Sequence, residues 1–220
     1  MSGGGRAPLG LLGGTFDPVH FGHLAIAEQT REALGLERVL FIPAARPPHK
    51  PDQPITAPEH RTAMVELAIA GDAWFALGRQ ELDRPGPSFA VDTVSEVARA
   101  SAAEGRAEPF FILSAEALAG LPTWHDTDRL LCACRIAVVP RRGYPPPSAE
   151  WLREHFPGHQ DRFTFLAGPE LGHSASDIRA RAAAGRSIRY LVPPAVERYI
   201  RQHQLYRPEP DPPPDPRSDP

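Results

Sequence analysis

The sequence predicts an α/β protein built on a doubly wound, mainly parallel sheet with helices on both faces and further helices at its C-terminal end. Three observations carry this expectation. Short apolar runs alternate with amphipathic segments along the chain. Most of the runs are uniformly apolar, as strands covered on both faces are. A length of 220 residues suits one domain of this class, which buries about 70% of the surface its unfolded chain exposes. Sheets of this kind bind ligands at the carboxyl ends of their strands.

The elements follow in order. Residues 1–8 are glycine-rich and residues 208–220 are dominated by Pro, Asp and Glu, so neither buries enough apolar surface to offset its ordering entropy. Both are expected to be disordered around a single domain spanning 9–207. A first strand over Leu9–Leu12 precedes a helix over Leu24–Leu34, in which Ile26, Ala27, Thr30, Ala33 and Leu34 share one face and Glu28, Gln29 and Glu32 the other. Gly35 stops that helix. Then come a strand at Arg38–Ile42, a helix at Ala57–Ala70, a strand at Trp74–Leu77 and a helix at Phe89–Ala103, with Ser88 as its N-cap. A strand at Pro109–Leu113, a helix at Asp126–Cys134 and strands at Arg135–Val139 and Phe163–Leu166 complete the sheet. Helices at Ser174–Ala184 and Pro194–His203 close the fold; Ser174 and Asp177 have capping-box spacing, and Val196, Tyr199 and Ile200 give the last helix one apolar packing face.

Composition narrows the function. A net charge of −3 provides no global basic field for nucleic acid or an anionic membrane, so any phosphate must be held by local groups. Cys132 and Cys134 are too close for an ordinary disulfide or zinc knuckle and are expected to be buried apolar residues. No apolar run approaches the roughly 18 residues that span a bilayer, and the start lacks the apolar core of a signal peptide, so a cytoplasmic location is expected.

The chemistry-bearing stretch is Gly13-Gly14-Thr15-Phe16-Asp17-Pro18-Val19-His20-Phe21-Gly22-His23, between the first strand and the first helix. It reads as a phosphate-handling turn: the paired glycines give conformational freedom and close approach, and the helix aims its positive end at the same place. His20 and His23 flank Gly22 and can donate to phosphate oxygens as charge develops. No third ligand sits at a zinc-site spacing, and the Gly-x-Gly-x-x-Gly dinucleotide fingerprint is absent. The segment resembles the signature of the nucleotidyltransferase superfamily, which has a Rossmann-like core and a motif ending in His-x-Gly-His. Its longer form is similar to the bacterial nicotinate-nucleotide adenylyltransferases, although pantetheine-phosphate adenylyltransferases begin in the same way.

Four further stretches extend the resemblance. Arg46-Pro47-Pro48-His49-Lys50 follows the second strand on the binding edge, and the resemblance implies that Lys50 contacts substrate phosphate, with His49 beside it. Glu81 to Thr93 is similar to a family segment in which a helix start faces the nicotinate carboxylate, here formed by Ser88, Phe89 and Ala90, with Phe89 and Ala90 where Tyr and Thr are usual. After the fourth strand Ser114 and Glu116 replace the usual Gly and Asp, so Glu116 carries the charge near the nucleotide sugar on a longer arm. Leu121-Pro122-Thr123-Trp124 matches the family, and Trp124 is either a stacking platform for a pyridine or a core residue. Finally, Ser174-Ala175-Ser176-Asp177-Ile178-Arg179 resembles the superfamily's Ile-Ser-x-Thr-x-x-Arg, with His173 for Ile and Ser176 for Thr.

The resemblance implies adenylyl transfer from ATP to nicotinate mononucleotide. His20, His23, Lys50 and Arg179 would be catalytic; Gly13, Gly14, Thr15, Phe16, Gly22, Ser176 and Ile178 would bind ATP; His49, Ser88, Phe89, Ala90, Glu116 and Trp124 would bind the mononucleotide. Mg2+ would be held through substrate phosphates without a protein metal site. Partners would be these small molecules, with no nucleic acid or membrane, and a homo-oligomer is left open. The alternatives are an adenylyltransferase for nicotinamide mononucleotide or phosphopantetheine, and a non-catalytic nucleotide-binding regulator motivated by Ser114 and Glu116.

Overall fold

A computed structural model describes residues 5–47, 54–168, 172 and 174–207. The expectations for residues 1–4 and 208–220, and for His49 and Lys50, lie outside the described residues. The chain alternates strand and helix: β1 (Leu9–Gly14), α1 (Phe21–Leu34), β2 (Arg38–Pro43), α2 (Pro58–Ile69), β3 (Phe75–Leu77), α3 (Ala90–Ala103) and β4 (Phe110–Ser114). It continues through α4 (Ala115–Gly120), α5 (Thr127–Ala133), β5 (Arg135–Val139), α6 (Ala149–His155), β6 (Phe163–Phe165), α7 (Ala175–Ala183) and α8 (Pro194–Gln202). The strands form one six-stranded sheet in the order β3-β2-β1-β4-β5-β6, and every pairing is parallel.

The four inner strands β2, β1, β4 and β5 feed both faces of the sheet, which explains their uniformly apolar runs. Leu11, Phe111, Leu113, Ile136 and Val138 pack on one face with Val94 of α3, Leu118 of α4, Leu130 of α5 and Leu152 of α6. Their immediate neighbours Leu12, Ile112, Ala137 and Val139 point the other way, toward Ala27 of α1, Met64 of α2, Ile178 of α7 and Val196 and Ile200 of α8. Side chains alternate across a strand, so a strand covered on both faces must be apolar throughout.

The chain builds outward from β1 through β2 to β3, then returns to lay β4, β5 and β6 on the other side. The turns leaving the carboxyl ends of β1 and β4 therefore diverge and open a crevice between them.

Four expectations need correction. Helices α4 and α6 were not read from the sequence; at six and seven residues they are too short to show a helical period. Helix α1 starts at Phe21 rather than Leu24, which puts His23 in its first turn. Cys134 is buried, and burial pushes its thiol up to about 12, but Cys132 is exposed. Gly13 and Gly14 sit in β1, and the positive φ falls on Phe16 instead (50°). Gly14 is required for space: a Cβ there would meet the Phe16 ring at 3.1 Å.

Candidate active site

At the carboxyl edge of the sheet lies a cavity of about 1020 Å³, lined by residues from the turn after β1, the start of α3, the β4–α4 turn, the stretch after β5 and the start of α7. Small-ligand sites usually occupy about 300–1,000 Å³, so this one stands at the upper end of that range. Gly13, Gly14, Thr15, His20, Gly22 and His23 contribute from the first turn, and Ser176 and Arg179 face the same space from α7. Ser88, Phe89, Ala90, Glu116 and Trp124 line it from the other side. Phe16 and Ile178 do not line it: both side chains are core, 2% and 1% exposed, so a ligand could meet these two residues only through their backbone.

The two histidines form a stacked pair, with ring centroids 3.8 Å apart and planes 25° from parallel. His20 is the N-cap of α1, and its backbone N–H donates to Nδ1 of His23 at 3.3 Å. An Nδ1 that accepts leaves the proton of the neutral ring on Nε2, so His23 is held as a donor. The edge of Phe16 packs against it at 5.0 Å. Burial, then the charges of His20 and Arg141, hold the His23 pKa well below the usual imidazole value. An uncharged donor stays ready to stabilise anionic oxygens and gains charge favourably when a phosphate approaches.

Arg179 is fixed at two points. One terminal nitrogen donates to the carbonyl of Asp17 at 2.7 Å and the other to Oγ of Ser176 at 3.2 Å. This ties the start of α7 to the phosphate turn. Ser174 caps α7 by accepting from the Asp177 N–H at 3.5 Å; only the serine half of the expected capping box forms.

Ser88 does not cap α3. The N-cap is Phe89, without a side-chain bond. The Ser88 hydroxyl instead accepts from the N–H groups of Ala45 and Arg46 at 3.1 and 3.2 Å, tying the α3 start to the stretch after β2. It also bonds Glu81, a buried carboxyl whose pKa burial raises against the opposing bonds from Ser88 and Thr93. The α3 start lines the cavity without a serine cap; the Phe89 N–H donates to the carbonyl of Pro87 at 3.2 Å, and its ring stacks on His125 at 4.3 Å. On the β4 side, Ser114 caps α4 by accepting from Ala117 N–H, and Glu116 in its first turn pairs with Arg141 at 3.2 Å. Trp124 lines the cavity while its ring meets Phe111 edge-on at 6.2 Å, so it serves both the wall and the core.

Several residues that line or support the site were not singled out by the sequence reading, whether or not they carried a signal. Arg141 had a positional one, a basic residue directly after a strand on the binding edge. Arg61 lies within a helix and had none. Tyr206, beyond the last helix, had none either, and it donates its hydroxyl to Asp17 at 2.7 Å. Among the described residues no three His, Cys, Asp or Glu side chains gather into a metal cage. The polar lining near the phosphate turn is made of imidazole, guanidinium and hydroxyl groups. That donor set fits a cation carried on phosphate oxygens and water.

Comparison with known proteins follows the same lines. The cytidylyltransferase-like family model matches residues 11–181. A Roseiflexus sp. (strain RS-1) protein named "probable nicotinate-nucleotide adenylyltransferase" is 47% identical over 201 residues, which cover 91% of this chain and 98% of its own. A Thermus thermophilus protein of the same name is 46% identical over 199 residues, covering 90% and 99%. Among solved structures, Plasmodium falciparum nicotinic acid mononucleotide adenylyltransferase complexed with NaAD superposes with a TM-score of 0.74 at 16% identity, over 91% of this chain and 97% of that one. At that identity the likeness establishes the fold.

Proposed function

This chain belongs to the cytidylyltransferase-like family, among its nicotinate-nucleotide adenylyltransferases, and we infer from that membership that it transfers the adenylyl group of ATP to nicotinate mononucleotide. The products are nicotinate adenine dinucleotide and pyrophosphate, a step of NAD biosynthesis. The observation that carries the reading is the single cavity that His20, His23, Ser176 and Arg179 share with the start of α3.

The mononucleotide phosphate is already an anion, so it needs no general base. Its oxygen attacks the α-phosphorus of ATP, the bond to the β-phosphate oxygen breaks opposite it, and pyrophosphate leaves with that electron pair. No proton need move. What remains for the protein is alignment and charge neutralisation. His20 and His23 donate to the α-phosphate oxygens as their charge grows. Arg179, forked and always charged, grips the leaving pyrophosphate with Ser176. Gly13, Gly14, Thr15 and Gly22 let the triphosphate lie against main-chain N–H groups. Lys50, with His49, orients the incoming phosphate from the segment between β2 and α2. Ser88, Phe89 and Ala90 at the start of α3 receive the pyridine carboxylate, whose charge the positive end of α3 favours, and Trp124 offers its ring to the pyridine. ATP enters as its magnesium complex, the ion neutralising phosphate charge.

The substrates are soluble nucleotides, which supports placing the reaction in the cytoplasm; among the described residues no helix is long and apolar enough to cross a membrane. The deciding experiment measures pyrophosphate release from MgATP with nicotinate mononucleotide, nicotinamide mononucleotide or phosphopantetheine as acceptor. We expect kcat/KM to favour the nicotinate compound by at least about tenfold, the effect of roughly 1.4 kcal/mol of carboxylate recognition. Preference for another acceptor, or calorimetric ATP binding with no turnover, would contradict the reading.

A further inference from the structure

Arg61 lies on α2, outside the cavity, and is 1% exposed. Its guanidinium is directed at main-chain carbonyls: Nε donates to Thr56 at 2.7 Å, one terminal nitrogen to Thr15 at 2.8 Å and to Ala44 at 2.7 Å, and the other to Ala45 at 3.3 Å. These acceptors belong to three stretches of chain. Thr15 is in the phosphate turn, Ala44 and Ala45 leave β2, and Thr56 leads into α2. Burial lowers the pKa of this guanidinium, and the charge of Asp17 opposes the shift. A buried cation is costly unless its donors are satisfied, and a fork of fixed N–H directions is suited to satisfying them on several carbonyls at once.

A second set of bonds, centred on Asp17, which is 3% exposed, meets the first at Thr56. Its Oδ2 accepts from the N–H of Thr56 at 3.1 Å, its Oδ1 from the Tyr206 hydroxyl at 2.7 Å, and its carbonyl from Arg179 at 2.7 Å. The half-buried Tyr206 phenol, pushed far above its ordinary pKa by loss of solvent and by Asp17, stays a neutral donor. Ala44 N–H adds a bond to the carbonyl of Gly14 at 2.9 Å. The two stems of the segment that carries Lys50 are thus both referenced to the phosphate turn.

We propose that Arg61 is a positioning residue for adenylyl transfer, registering the acceptor side of the cavity against the phosphate turn, with Asp17 and Tyr206 completing the brace at Thr56. The proposal rests on the adenylyl-transfer reading of the cavity. In-line attack demands close approach of the reacting atoms, and a misplacement of about 1 Å can cost on the order of 100-fold in rate. A brace between the two half-sites therefore acts on turnover more than on the binding of either substrate alone.

The test is Arg61→Lys, whose single ammonium cannot reach carbonyls of all three stretches. We expect kcat at saturation to fall about tenfold or more, the calorimetric Kd for ATP to change by less than about threefold, and amide hydrogen exchange at Ala44 and Thr56 to accelerate. Unchanged kcat in the folded variant, or unchanged exchange at both amides, would overturn the proposal. If Arg61→Lys does not fold at the assay temperature, Tyr206→Phe decides: it removes one hydroxyl and keeps the ring, and a lower kcat with unchanged ATP affinity supports the brace, while wild-type kcat overturns it. A wild-type protein that releases no pyrophosphate with any acceptor would sink the functional reading, and the exchange rates would then judge the brace by themselves.

Discussion

At the scale of single residues, the proposed chemistry turns on His23. Its Nδ1 is occupied by the His20 N–H, and its pKa is held low by burial and by neighbouring positive charge. His23→Ala should lower kcat by about two orders of magnitude, as loss of an oxyanion donor does in other enzymes, and a folded variant with near-normal turnover would remove it from the mechanism. The same variant tests the electrostatics. The folded pKa lies below the unfolded value of about 6.5, so between the two the unfolded chain binds a proton that the native state does not. Wild-type stability should therefore drop as pH falls through about 6.5, and His23→Ala should lack that part of the drop in urea melts at pH 7.5 and 5.5; identical pH dependences would contradict the assignment. That His20, His23 and Arg179 face one cavity was foreseeable, because residue type and spacing single out both stretches as anion-handling helix starts. Arg61 and Tyr206 were not, since their roles consist of bonds to Thr15, Ala44, Thr56 and Asp17, which only the folded chain brings near.

At the scale of elements, the start of α3 shows how a local rule yields to a tertiary need. Ser88 before a helical pattern reads as an N-cap, yet its hydroxyl goes to Ala45 and Arg46 N–H and to Glu81, which holds the β3–α3 connection against the stretch after β2. Ser88→Ala leaves those two N–H groups without their acceptor, and an unsatisfied buried donor costs about 1–3 kcal/mol. The expected outcome is a lower Tm with a raised KM for nicotinate mononucleotide and little change in KM for ATP. A KM effect confined to ATP would place the acceptor elsewhere. The strands were legible to within a residue or two because burial on both faces forces apolar runs. Helices α4 and α6 were not, because their short lengths are fixed by the caps Ser114 and Ser148 and by packing of Leu118 and Leu152 rather than by a repeating face.

At the scale of the whole molecule, the strand order β3-β2-β1-β4-β5-β6 makes one crevice and brings candidate stretches from several strand ends to it among the described residues. Parallel strands present all their carboxyl ends on one edge, so the phosphate turn after β1, the start of α3 after β3, Glu116 after β4 and Arg141 after β5 converge although they lie far apart in sequence. The alternation of strand and helix made this edge foreseeable; the connection of α7 back across it, through Arg179 and Asp17, was not. The proposed binding of both nucleotides in one cavity calls for a single displacement at phosphorus, without a covalent adenylyl-enzyme. The direct measurement is the stereochemical course of transfer from ATP made chiral at the α-phosphorus by sulfur substitution. Inversion of configuration in the dinucleotide product is the predicted result, and retention, the mark of two successive displacements through an enzyme-bound intermediate, would contradict it.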